Sequence, residues 1–160
     1  GLRNRAKQSH ERALSRARDD AQALNNSGYS LYISGDYKGA VKLLKRAAQL
    51  SPNDQRILNN LALAQCRLGK YDDAFKNFVR AGGEFTGRLN TAAILERGGQ
   101  DAEAIKHYEA ARLLQPTSTA VLRRLAELYQ RTGKSEEAAA ARRALTSAPA
   151  ADTAATNGGN

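Results

Sequence analysis

A chain of 160 residues in which 25 Lys and Arg oppose 16 Asp and Glu carries a net charge of +9, which excludes a large multidomain enzyme and marks a small basic protein. Apolar residues make up 41% but aromatics only 6%, and alanine alone contributes 30, a composition suited to many close helix contacts and hence to an all-α fold. No apolar run approaches the roughly 18 residues that a bilayer crossing needs, and no charged-then-apolar leader opens the chain, so a soluble piece is expected, in cytoplasm or periplasm. Cys66 is the single cysteine, which excludes an internal disulfide framework. Methionine is absent, so Gly1 is read as the start of an excised or processed piece whose native N-terminus is missing.

In chain order, residues 1–20 come first and carry a basic arm of Arg3, Arg5, Lys7, Arg12, Arg16 and Arg18. Ala6, His10 and Ala13 alternate small, large, small at helical spacing, which predicts a helix from about Arg3 to Arg16 serving as an N-terminal half repeat or cap. From Leu24 the chain runs through Gly28, Leu31, Gly35, Tyr37, Ala40, Leu44, Ala47 and Pro52, which describes two amphipathic helices joined by a Gly-Asp turn over about 21–54. The series returns over about 55–84 as Leu58, Ala62, Gln65, Gly69, Tyr71, Ala74, Phe78 and Ala81, with Gln65 its polar intruder. A third copy, Ala92, Leu95, Gly99, Ala104, Tyr108, Ala111 and Pro116, fills about 85–118. A fourth, Leu122, Leu125, Ala126, Tyr129, Gly133, Ala138 and Leu145, fills about 119–148, with Arg142 where an aromatic stood before. The remainder, 149–160, is rich in Ala, Thr, Gly and Asn without apolar periodicity, and is expected to be a disordered tail.

The third copy begins about one helical turn early. Gly82 and Gly83 stand where the second helix of repeat two would continue, so that helix is expected to stop near Ala81 and to change how repeat three stacks. This break is either a tolerated deletion or a device that shapes a binding surface or a hinge.

The small residues at matching positions and the glycines that close each first helix resemble the tetratricopeptide repeat, a helix-turn-helix unit of about 34 residues. The resemblance covers about residues 21–148, with Leu24, Leu58 and Leu122 in place of the usual tryptophan. It implies a right-handed α-α superhelix of about four repeats plus the N-terminal half repeat, with the first helices lining a concave inner wall. In overall style the alanine- and arginine-rich array also resembles bacterial repeat proteins of pilus and secretion assembly.

Catalytic chemistry finds no foothold in the pattern. His10 and His107 lie far apart on different helices, no metal-ligand spacing occurs, and no glycine-rich phosphate loop is present, so neither enzyme activity nor any cofactor or metal is expected. Cys66 is expected to be a semi-exposed helix residue. The adjacent acids Asp19-Asp20, Asp72-Asp73 and Glu136-Glu137 are expected at helix starts, where the positive end of the helix dipole favours them.

What remains is the inner wall. Asn26, Asn60 and Asn90 recur two residues before the close-packing Gly or Ala of their repeats, and Arg124 holds that place in the last. An asparagine offers a donor and an acceptor, and can clasp a peptide backbone irrespective of side chain. The series is similar to the asparagine ladder in the superhelix of the O-linked N-acetylglucosamine transferase family. The chaperone-binding carboxylate clamp of other family members is not matched, because Asn25 and Tyr29 stand where its leading Lys and Asn would be. Arg56, Arg67, Arg97, Arg124 and Arg131 are expected on the same wall against Glu96 and Glu127, with Tyr29 and Tyr32 giving flat apolar contact. These residues point to a non-enzymatic module that holds an extended acidic or phosphorylated segment and acts as scaffold or adaptor. Two other readings are an RNA- or DNA-binding array, disfavoured because the positive charge is spread with no aromatic-interleaved stripe, and self-association through the open solenoid ends.

Overall fold

The computed structural model describes residues 20–147, which form seven α-helices and no strand. They are α1 (Ala21–Ile33), α2 (Tyr37–Leu50), α3 (Gln55–Arg67), α4 (Tyr71–Arg97), α5 (Asp101–Leu114), α6 (Thr119–Arg131) and α7 (Ser135–Ser147). The helix and tail expected at the two chain ends lie outside the described residues.

Local chemistry starts and stops the helices where the sequence pattern changes. The Asp20 carboxylate accepts from the N–H groups of Gln22 at 2.8 Å and Ala23 at 3.3 Å, and Asp54 does the same for Arg56 at 2.9 Å and Ile57 at 3.1 Å. Asp36 caps α2 through the Gly39 N–H at 2.9 Å. Each satisfies donors that the first turn leaves without helical partners. Asp72, Asp73, Glu136 and Glu137 all lie in first turns. Gly35, Gly69, Gly99 and Gly133 close α1, α3, α4 and α6 with positive φ.

Consecutive helices pack as antiparallel neighbours around one line of small residues. Ala40, Ala62, Ala74, Ala92 and Ala104 are wholly buried and Ala138 nearly so. A Cβ added to Gly28 would sit 2.6 Å from Leu44 Cγ, so α1 and α2 approach as closely as they do only because that atom is missing. Around this line stand Leu44, Ile57, Leu58, Leu122 and Leu125, with Tyr108 and Tyr129 buried to their rings. Their hydroxyls donate to Glu96 at 2.9 Å and Glu109 at 2.6 Å, and burial, followed by these bonds to charged acceptors, lifts both tyrosines well above their ordinary titration range.

The short second repeat is joined to the third without a loop. Within α4 the chain turns a corner at Gly83, whose φ of 83° and ψ of 173° lie in a region essentially closed to residues with a Cβ. Helix runs up to Gly82 and resumes at Glu84, so the second helix of repeat two ends within a residue of the expected Ala81. Beyond the corner, Gly87 lets the new arm fold back onto Val79, whose Cγ2 would lie 2.5 Å from an added Cβ. The third repeat then packs tightly on the second, and Ile94 closes over Ala62, Cys66, Ala74 and Phe78. Cys66, expected to be semi-exposed, is therefore buried, with 5% of its surface accessible.

Gly83→Ala is expected to destabilise the chain by about 1–3 kcal/mol, because the added Cβ meets nothing within 4 Å and the whole cost is conformational. A urea midpoint lowered without change of m would show it, and an unchanged midpoint would contradict the corner geometry.

Candidate functional site: an inner groove

First helices α1, α3, the second arm of α4, and α6 line one side of the array, and their side chains enclose three adjoining recesses. One, about 410 Å³, lies between repeats one and three and is lined by Tyr32, Tyr37, Leu63, Cys66, Tyr71 and Ile94 together with Arg67 and Arg97. A second, about 220 Å³, is lined by Asn59, Leu63, Asn90 and Ala93 above Phe78. A third, about 530 Å³, lies between Glu96, Tyr108, Arg124 and Arg131. Arg97 lines all three.

Of the arginines expected on this wall, Arg67, Arg97, Arg124 and Arg131 line the recesses and Arg56 does not, and most of the five are engaged within the protein. Arg131 makes a bidentate pair with Asp101 at 2.6 and 2.7 Å, and holds the Asp101 carboxyl below the usual carboxylate range. Arg67 donates to the Tyr37 hydroxyl at 2.7 Å while its guanidinium lies 4.9 Å from the centre of the Tyr37 ring. Arg124 bridges Glu127 at 3.0 Å and Glu96 at 3.8 Å, and Arg56 bonds to Gln22. Arg97 differs. Its Nε donates to the Ala93 carbonyl at 3.2 Å, and no side-chain acceptor meets it among the described residues.

Register explains the exception. Arg67 and Arg131 each reach the first residue of the second helix in the preceding repeat, Tyr37 and Asp101. The matching partner for Arg97 would be Tyr71, but the Tyr71 hydroxyl is already taken by Gln100 Nε2 at 2.8 Å. Equivalent turns carry Asp36, Lys70 and Lys134 where this one carries Gln100. Sequence reading found the recurrence of the arginines and missed the partners at Tyr37 and Asp101, although these recur in register too.

The asparagines are not equivalent either. Asn26 is exposed, and its side chain makes no hydrogen bond among the described residues. Asn60 is half-buried and donates to the Oδ1 of buried Asn25 at 2.9 Å, tying α3 to α1 and leaving its own carbonyl free. Asn90 is half-buried in the wall of the second recess. Tyr29 and Tyr32 stack with ring centres 5.9 Å apart, and Tyr32 meets Tyr37 at 5.8 Å, so an aromatic patch opens the groove at repeat one. Tyr29 is 44% exposed.

Among the described residues no three His, Cys, Asp or Glu side chains converge on a common point. Burial pushes the Cys66 thiol up to about 11 against the weaker opposing pull of Arg97, which keeps it protonated and unreactive at neutral pH. His107 lies against Phe75 outside the groove, and burial, aided by nearby Arg88, lowers its basicity.

With this geometry the comparisons with known proteins agree. Residues 28–69 match the family model described as TPR repeat. Over 63 residues, 39% of this chain, the sequence is 38% identical to the BBSome complex member BBS4 of Xenopus tropicalis, a match that spans only 12% of that protein's length. A crystal structure of MamA superposes with a TM-score of 0.60 at 17% identity, covering 87% of this chain and 84% of that one. A second MamA structure, MSR-1, gives 0.53 at 25% identity over 78% and 74%. Residues 28–69 are thus similar to a tetratricopeptide repeat, and the array around them has the fold of such repeats. The array is an all-α helical-repeat superhelix, and among the described residues no helix is long and apolar enough to cross a membrane.

At pH 8 iodoacetamide should label Cys66 far more slowly in the folded chain than in urea, with the folded rate climbing toward pH 11 as the thiolate forms. Equal rates in both states would contradict the burial.

Proposed function

We propose that this tetratricopeptide-repeat array is a non-enzymatic scaffold that holds an extended acidic protein segment along its inner groove during complex assembly, with bacterial pilus or secretion assembly as one setting. The observation that carries the reading is the free guanidinium of Arg97 at the junction of three recesses. A carboxylate or phosphorylated side chain laid there would gain charge-assisted hydrogen bonds without first displacing an internal partner. Asn26, Asn60 and Asn90 would contact the segment's backbone, and the Tyr29–Tyr32 stack would take an apolar residue toward repeat one. Arg67, Arg124 and Arg131 would frame the groove electrostatically while keeping their internal bonds. Arg56 would do so at its edge. The ion pairing of Arg124 and Arg131 speaks against a track for a nucleic-acid backbone, which needs a run of unpaired cations.

Fluorescence anisotropy with a labelled glutamate-rich peptide tests the reading. Arg97→Ala is expected to weaken binding about tenfold or more, as loss of a hydrogen bond to a charged group does, while Arg131→Ala should change it much less. Equal losses for the two variants, or none for Arg97→Ala, would defeat the proposal.

A further inference from the structure

A second recess, about 340 Å³, opens on the other side of the array, where α2, α3 and the first arm of α4 meet. It shares no lining residue with the groove. Its floor is Gln65 and Asn77, exposed by only 2% and 8%, and its rim carries Lys45, Gln49 and Arg80. The positions matching Gln65 hold Leu31, Leu95 and Tyr129, side chains that fill the core between helices. A buried amide here is therefore no requirement of the repeat.

The orientation of that amide is determined by a chain of hydrogen bonds. Arg80 is anchored to the Pro52 carbonyl at 2.8 Å and donates to Asn77 Oδ1 at 3.4 Å. Asn77 must then turn Nδ2 inward, where it donates to the Asp73 carbonyl at 3.2 Å and to Gln65 Oε1 at 2.8 Å. Gln65 thus spends its acceptor on Asn77 and is left with Nε2, a donor without a protein partner, in the lining of the recess. Nε2 keeps contact with solvent at the recess, so it can donate to an acceptor brought from outside without displacing an internal partner. Lys45 stands at the same rim with no ion-pair partner among the described residues, and no carboxylate lines the recess. Ala48 and Leu61 complete its walls with apolar surface.

We propose that this recess is a second binding site, for the glutamate side chain of a partner protein: the carboxylate accepts from Gln65 Nε2 and pairs with Lys45 and Arg80, and the methylenes lie on Ala48 and Leu61. The open mouth and the short apolar wall suit an acid carried on an aliphatic stem. A scaffold with this site grips acidic partners on two sides, and the outer grip is independent of Arg97.

The test follows the side-chain amide signals of Gln65 and Asn77 by ¹⁵N–¹H NMR at constant ionic strength. The full chain is titrated with a capped alanine peptide bearing one glutamate, with its glutamine counterpart, and with butyrate as a free carboxylate. A saturable shift with the glutamate peptide and none with the glutamine peptide is expected. Lys45→Ala, a change on the surface, should weaken it about tenfold. Gln65→Leu restores the residue type of the other repeats, leaves Asn77 its bond to Asp73, and should abolish the shift at Asn77, while Arg97→Ala should leave it intact. No saturable shift, a shift unaffected by both Lys45→Ala and Gln65→Leu, or a response to butyrate without one to the glutamate peptide would each overturn the proposal.

Discussion

Close approach of paired helices is the constraint on which this molecule depends. Wherever a first and a second helix cross, one side contributes no more than a methyl group, and at Gly28 not even that. Packing at native density is then completed by large buried residues such as Leu44, which seats against Gly28, and Leu58, Phe78 and Tyr108. The crossing leaves each first helix with a face that no second helix covers. Four such faces in sequence make the groove, so the groove is a consequence of how the core is packed and not a separate feature added to it.

The short second repeat modifies that plan at one point with effects at two others. Replacing a loop by the Gly83 corner draws repeat three onto repeat two, buries Cys66 beneath Ile94, and changes which side chains meet across the repeat boundary. Elsewhere the recurring arginine finds a partner one repeat back, but at this boundary Gln100 occupies Tyr71 and Arg97 is left over. A stability device and a binding feature therefore have the same origin. The inner charge pairs that remain are solvent-exposed and contribute little to folding, so their main effect is to decide which cation a ligand can reach.

The helical architecture was legible because small residues and turn glycines recur at fixed spacing, and the end of a helix beside Gly82 was legible from the doubled glycine. Burial of Cys66 was not, since a register counted along one chain does not show what a shortened repeat brings over it. Helical periodicity picked out Asn90, Arg67, Arg97, Arg124 and Arg131, which line the recesses, together with Asn26, Asn60 and Arg56, which do not. Their availability was not legible, because hydrogen bonds such as Arg131 to Asp101 or Asn60 to Asn25 join residues about a repeat apart and depend on how repeats stack. Gln65 was visible as a polar intruder, but the relay through Arg80 and Asn77 that leaves its donor free required all three helices in place.

The central claim is that internal pairing selects the arginine a ligand meets. Arginine ¹⁵Nε–¹Hε signals of the full chain, followed while an acidic peptide is added, test it most directly. Arg97 is predicted to shift first and furthest, with Arg131 and Arg124 nearly still; a uniform response of all the groove arginines, or one led by Arg131, would contradict it.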